Sequence, residues 1–156
     1  MAKPIPYGMH SITPHLLVDG AAKAIDFYKN VFGAELVRPI STTPDGKVMH
    51  AHLKIGDSHL MMADAFPKGC MGSPKSLGGT PVALTLYVPD VDATWKTATD
   101  AGAKPLFPLS NQFWGDRYGM IEDPFGHVWA LATHIEDLTQ EEIEERAKSA
   151  FAHGGH

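Results

Sequence analysis

The residues best equipped for chemistry gather in the stretch Gln112 to Thr133, QFWGDRYGMIEDPFGHVWALAT. Arg117 offers a planar fork of donors matched to a carboxylate or phosphonate, and Phe113 or Trp114 beside it can supply an apolar wall. The run Trp114-Gly115-Asp116-Arg117-Tyr118 reads equally well as a structural pairing of Asp116 with Arg117 that fixes a turn. Glu122 is a candidate general base where burial disfavours its charge, and a turn-capping acid where it is solvated. Tyr87, in TPVALTLYV, brings a phenol able to act as donor or acid, and strand alternation puts Thr85 on its face. His50 and His52, in KVMHAHLKI, share a face for the same reason, and His15 lies on an earlier strand. Three imidazoles converging on one point make a metal site, but residues two apart on a strand sit about 7 Å from each other. The expected assignment is therefore Glu122 and Tyr87 as proton-handling groups, with Arg117, His52, Trp114, Thr85, Phe113 and His50 contacting the ligand.

The composition narrows what that ligand is. A chain of 156 residues is one ordinary domain by length, long enough to bury a core without disulfides or metals. A hydrophobic fraction of 44% against 20% charged residues places it among globular proteins rather than disordered or membrane-embedded ones. The net charge of -5 argues against a nucleic-acid partner, which needs clustered Lys and Arg. No apolar run reaches the ~18 residues of a membrane span, and MAKPIPYGMH has no secretory apolar core, so no membrane partner and a cytoplasmic location are expected. The single cysteine, Cys70, fits a reducing compartment and reads as an incidental loop thiol.

The elements that position these residues follow from periodicity and turn signals. Ser11 to Val18 is a strand; Asp19 then caps a helix with Ala21, Ala24, Ile25, Tyr28 and Phe32 at helical spacing, closed by Gly33. Glu35 to Ile40 is a short strand, and Lys47 to Ile55 a longer one. Alternation there sends Met49, Ala51, Leu53 and Ile55 to the core and Val48, His50, His52 and Lys54 to the other face. Ser58 to Ala63 returns, and a long loop follows to Gly79. The pattern then recurs. Thr80 to Val88 is a strand, Asp90 caps a helix bearing Val91, Trp95 and Ala98, and Lys104 to Phe107 is a short strand. Arg117 to Glu122 and His127 to Thr133 form a hairpin around the Asp123-Pro124-Phe125-Gly126 turn. No role is expected of His127, His134, His153 or His156. Phe27, Phe32, Trp95, Trp129 and Leu131 read as core.

Comparing LLVDGAAKAIDFYKNVFGA with LYVPDVDATWKTATDAGA shows a β-α-β-β-β unit repeated at an offset of roughly 70 residues. The expected organisation is a single α+β domain: repeat one over about 11–65, a linker over 66–79, repeat two over about 80–135, and a C-terminal helix over about 139–152. Two small sheets, each covered by a helix on one face, would curl into a half-barrel whose concave wall binds a small molecule. Thr139 and Glu142 spell a capping box for the last helix.

The repeats, together with AIDFYKNVFGAE, GKVMHAHLKIGDS, NQFWGDRYG and DPFGHVWALATHIED, resemble the vicinal oxygen chelate superfamily, which takes in glyoxalases, extradiol dioxygenases and bleomycin or fosfomycin resistance proteins, and most closely its PhnB-like subgroup. The resemblance covers roughly Ile12 to Asp137. It implies a homodimer and a divalent metal held at four strand positions, which fall here at about Thr13, His52, Ala83 and Ala130. Only His52 is a ligand type, and zinc or nickel requires three or four donors. The expectation is a protein that binds a small anionic or aromatic molecule, gripped by Arg117 and His52 against Trp114 and Tyr87. Two alternatives stay open: a metal-dependent lyase, isomerase or dioxygenase using His15, His50, His52 and Glu122, and a protein that sequesters an antibiotic.

Overall fold

The computed structural model describes residues 1–69 and 71–153. The expectations for Cys70 and His156 fall outside the described residues. The chain divides into two compact units, Met1–Thr80 with Pro124–Gly126, and Pro81–Asp123 with His127–His156.

The first unit runs β1 (His15–Val18), α1 (Ala21–Phe32), β2 (Glu35–Leu36), β3 (Ser41–Thr42), β4 (Val48–Ile55), β5 (Ser58–Asp64) and α2 (Pro74–Leu77). Its sheet has the order β1-β5-β4-β2, with β3 also paired to β4; β1 and β5 are parallel and the other pairs antiparallel. The spacing read from the sequence puts one face of α1 inside, and Ile25 and Tyr28 are among the side chains almost wholly withdrawn from water. Each such burial stabilises the fold by roughly 1.5–3 kcal/mol. Phe125, from the turn segment that belongs to this unit, packs edge-on against Phe27 and Tyr28 with centroids 6.2 and 6.4 Å away.

Three local expectations are corrected here. Asp19 does not cap α1: Gly20 occupies the cap at φ 88, and no side chain of the cap residue bonds the helix. The cap comes instead from Asp64 at the end of β5, whose Oδ1 accepts from Gly20 N at 3.0 Å and Ala21 N at 2.8 Å. Its Oδ2 accepts from Val48 N at 2.7 Å, so one carboxylate satisfies the start of the helix and the start of β4. Met49 does not face the core. The β3–β4 register slips between Ser41 opposite His50 and Thr42 opposite Val48, leaving Met49 as the extra residue. Strand parity therefore reverses there: Val48 is 1% exposed and Met49 55%. Lastly, the linker holds a helical turn, α2, capped by Ser73 Oγ accepting from Ser76 N at 3.2 Å, with Pro74 at its first position.

The second unit runs β6 (Ala83–Tyr87), α3 (Val91–Asp100), β7 (Lys104–Asn111), β8 (Asp116–Glu122), β9 (Val128–His134) and α4 (Gln140–His153). Its sheet order, β6-β9-β8-β7, repeats the parallel and antiparallel pattern of the first. The repeat extends to single bonds: Thr133 occupies the place of Asp64, accepting from Val91 N at 2.9 Å and donating to Val88 O at 2.7 Å. Asp90 caps α3 through Ala93 N at 3.2 Å, as its position after the strand leads one to expect. β7 is longer than the expected Lys104–Phe107: it runs on to Asn111 through two register shifts against β8, the second of which spans Pro108, which cannot donate to the ladder. In α4 the capping box forms in both directions, Glu142 N to Thr139 Oγ1 at 3.2 Å and Thr139 N to Glu142 Oε2 at 3.0 Å. The fold class is α+β, two mixed sheets with a C-terminal helix. Among the described residues no helix is long and apolar enough to cross a membrane.

Candidate functional site

α3 defines the two faces of the second sheet. The Trp95 ring lies so close to Gly119 that a Cβ there would stand 2.6 Å from it, which is why β8 carries glycine at this position. Gly119, Ile121, Trp129 and Leu131 therefore belong to the α3 face, and Trp129 donates from Nε1 to the buried Asp123 at 2.9 Å. Arg117 has the parity of Gly119 and turns the same way. Its Nε and Nη2 clasp both oxygens of Asp92 on α3, at 2.8 and 2.9 Å, and Nη1 donates to Asn111 Oδ1 at 3.1 Å. Of the two roles open to Arg117, gripping an anion and pairing within the structure, its donors serve the second, with Asp92 rather than Asp116 as partner.

The opposite face is set by cross-strand register. Tyr87, Ala132, Tyr118 and Ser110 form one row, Thr85, Ala130, Met120 and Phe107 the next, and Ala83, Val128, Glu122 and Lys104 a third. Thr85 and Tyr87 are exposed and Glu122 is half-buried. At the end of this face stands Asp116, 3% exposed and opposite His134. Its Oδ2 accepts from Tyr87 Oη at 2.8 Å and from Trp114 Nε1 at 3.0 Å; its Oδ1 lies 2.8 Å from His134 Nδ1. His134 Nε2 in turn lies 2.8 Å from Asp137 Oδ1. Gly115 makes the approach possible: at φ 100 it brings its carbonyl to Ile135 N and Glu136 N, and a Cβ there would sit 2.5 Å from Glu136 O. Around Asp116 the rings of Phe107, Tyr118, Trp114 and Phe113 pack edge to face in sequence, with centroids 6.2, 5.3 and 5.1 Å apart, and Phe113 meets Phe151 of α4 at 6.0 Å.

The charges of this cluster interlock. Burial is the largest single influence on Asp116 and alone would raise its pKa, but donors from His134, Tyr87 and Trp114 together bring it below the ordinary carboxylate value. The hydrogen bond to Asp116, then burial, raises the Tyr87 phenol above its usual range, so it stays protonated. His134 is raised by its bonds to Asp116 and then Asp137. Sequence reasoning assigns no ligand-side role to Asp116 and none to His134. The usable signal was parity, since Asp116, Tyr118, Met120 and Glu122 alternate away from Arg117.

In the first unit the face opposite α1 carries four imidazoles. His52 is 2% exposed; its Nε2 lies 2.8 Å from His59 Nδ1, while its own Nδ1 has no hydrogen-bond partner. His15 and His50 meet each other instead, ring centroids 6.3 Å apart. The expected trio of His15, His50 and His52 therefore does not converge, because His52 is drawn to the neighbouring strand. Among the described residues no three His, Cys, Asp or Glu side chains are placed to hold one ion. A separate cavity of ≈ 500 Å³, lined by Asp19, Lys47, Phe66, Met71 and Ser76 among others, contains none of the residues expected to act.

The two sets of histidines carry opposite pH signatures. Burial lowers His15 and His52, assisted in His15 by His50 and in His52 by His59, Arg38 and His50. Their contribution to stability is present above the ordinary value of 6.5 and lost as pH falls through their folded values. His134, raised, contributes fully below 6.5 and loses that contribution as pH rises through its folded value. An NMR titration is expected to order the rings with His15 and His52 below 6.5 and His134 above it. The reverse order contradicts the geometry.

With the fold and the site in view, the chain belongs to the Glyoxalase/Bleomycin resistance protein/Dioxygenase superfamily, whose family model matches residues 8–131. It is similar to the uncharacterized protein Mb0911c of Mycobacterium bovis, 46% identical over 143 residues, covering 89% of this chain and 93% of that one. Among solved structures it is similar to the PhnB protein from Bacillus cereus, with a TM-score of 0.65, 21% identity and coverage of 80% of this chain and 99% of that one. The fosfomycin resistance protein FosX from Listeria monocytogenes, solved with Mn(II) and sulfate, shares the fold at a TM-score of 0.60 and 19% identity, covering 89% of this chain and 99% of that one. The metal positions implied by the family do not fit this chain. Alanine offers no donor at positions 83 and 130, and His52 already engages His59 through Nε2.

Proposed function

We propose that this protein binds a small, flat, aromatic molecule on the face of the second sheet opposite α3. The observation that carries the reading is Asp116, a buried carboxylate that orients Tyr87 and Trp114 at the head of the row of aromatic rings. Burying this acid costs desolvation that its bonds to Tyr87, Trp114 and His134 offset, and the rigid aromatic platform it creates is the kind of wall small ligands use. Trp114, Tyr118 and Phe113 stack the ligand, Tyr87 and Thr85 supply hydroxyls at its edge, and Glu122 accepts from its far end. The anionic ligand expected from a free Arg117 is not retained, because that fork serves Asp92. On the first unit, taken by itself, His50 is half-buried beside the buried His52, whose Nδ1 has no hydrogen-bond partner.

The protein works in this reading as a cytoplasmic homodimer, supported by the single cysteine and by the apolar residues of the N-terminal arm, where Tyr7 is 100% and Ile12 86% exposed. A thermal-shift screen of aromatic small molecules against the wild type and Trp114→Ala tests it. Hits that raise the wild-type Tm and fail to raise that of Trp114→Ala are expected. A screen whose hits stabilise both proteins equally places the ligand elsewhere.

A further inference from the structure

The hydrogen-bond directions on this face bear on the charge of its ligand, given the reading of the face as a ligand site, on which the inference rests. We infer that the occupant is a donor-bearing aromatic, an arylalkyl ammonium, and not the aromatic acid that Arg117 alone suggests. The donors gathered at Asp116 are already spent. Tyr87 Oη and Trp114 Nε1 both donate to Asp116 Oδ2, at 2.8 and 3.0 Å, and both nitrogens of His134 face carboxylates at 2.8 Å. Arg117 lies on the other face.

What the rows leave toward a ligand is mainly acceptor capacity: the lone pairs of Tyr87 Oη, the carboxylate of Glu122, and the hydroxyls of Thr85 and Tyr118, which can serve either way. Lys104 shares the row of Glu122 but sits on the edge strand β7 and is exposed. At the ring end of the face Asp116 and Asp137 stand against His134, so the balance there is negative when all are charged, while Glu122 faces Lys104 across the strands at the other end. The faces of Trp114, Tyr118 and Phe113 add to the preference, since a ring quadrupole attracts a cation and repels an anion. Acceptors, excess negative charge and ring faces point to one chemistry.

The test compares three probes of matched length by calorimetry on the full chain: 2-phenylethylammonium, 2-phenylethanol and 3-phenylpropionate. The ammonium is expected to bind about tenfold more tightly than the carboxylate, with the alcohol between. Glu122→Gln, an isosteric change at a half-buried position, is expected to reduce that ratio several-fold by weakening the ammonium more than the alcohol. A carboxylate that binds as tightly as the ammonium overturns the inference and leaves the aromatic site standing. Failure of all three probes overturns the site itself. So does conversion of a sedimenting dimer to monomer by Trp114→Ala, because the face is then covered by a second copy of the chain.

Discussion

Asp64→Ala is expected to lower stability by about 3–5 kcal/mol, the largest effect of any single polar substitution in the first unit. The change strips the acceptor from three backbone N–H groups at once, those of Gly20, Ala21 and Val48, at bond lengths of 3.0, 2.8 and 2.7 Å. Each hydrogen bond to a charged group is worth roughly 1.5–3 kcal/mol, and a buried donor left unpaired adds its own desolvation cost. The helix start, the end of β5 and the start of β4 lose their common anchor. Asp64→Asn separates the parts. Its carbonyl can keep the two bonds at the start of α1, while the amide NH₂ meets Val48 N–H donor to donor, so about half the loss is expected. Urea denaturation with a constant m-value checks both variants. Asp64→Ala within about 0.5 kcal/mol of wild type contradicts the assignment of this residue as the cap.

Asp116→Ala is expected to cost about 2–4 kcal/mol and to abolish ligand binding, because Tyr87, Trp114 and His134 all lose their acceptor. The stability loss alone does not distinguish a site from a scaffold, so the sharper variant is Asp116→Asn. It keeps the shape and one oxygen while removing the charge. The His134 pKa, raised first by its bond to Asp116, is expected to move down toward 6.5, with Asp137 still holding part of the shift. The Tyr87 phenol, raised for the same first reason, is expected to fall as well. Acid unfolding follows the same logic. Asp116 contributes above its ordinary carboxylate value and loses that contribution as pH falls through its lowered folded value, whereas in Asp116→Asn this contribution is missing at every pH. His134 and Tyr87 titrating as in wild type would mean that Asp116 does not organise the cluster.

The duplicated unit was legible in the sequence because each copy announces itself through local signals. Helical spacing from Ala21 to Phe32, a glycine to end that helix, Asp90 as a cap, and the Asp123-Pro124-Phe125-Gly126 turn are all set by residues within a few positions of one another. What the sequence concealed depends on partners far along the chain. The cap of α1 lies 44 residues away at Asp64, while the adjacent Asp19 offers a plausible local alternative. The bulge that exchanges Val48 and Met49 is a property of the pairing with β3 and leaves no mark on alternation within β4. The site was legible in part. Thr85 and Tyr87 share one face by parity, as expected, Glu122 lies on that face as well, and parity alone also excludes Arg117 from the face of Tyr118. The meeting of Asp116 with His134 needed the register of two strands, which no single strand reveals. His52 pairing with His59 across β4 and β5 is the same case.

The central claim is that a ligand lies on the rings held by Asp116, and the indole N–H of Trp114 reports on it directly. In a ¹H–¹⁵N spectrum of uniformly labelled protein, each of the three tryptophans contributes one indole signal. Titration with 2-phenylethylammonium is expected to move the Trp114 signal, assigned by its loss in Trp114→Phe, while Trp95 and Trp129, which lie on the α3 face, stay in place. Movement of Trp95 or Trp129 with Trp114 unchanged would put the ligand on the wrong side of the sheet and contradict the account.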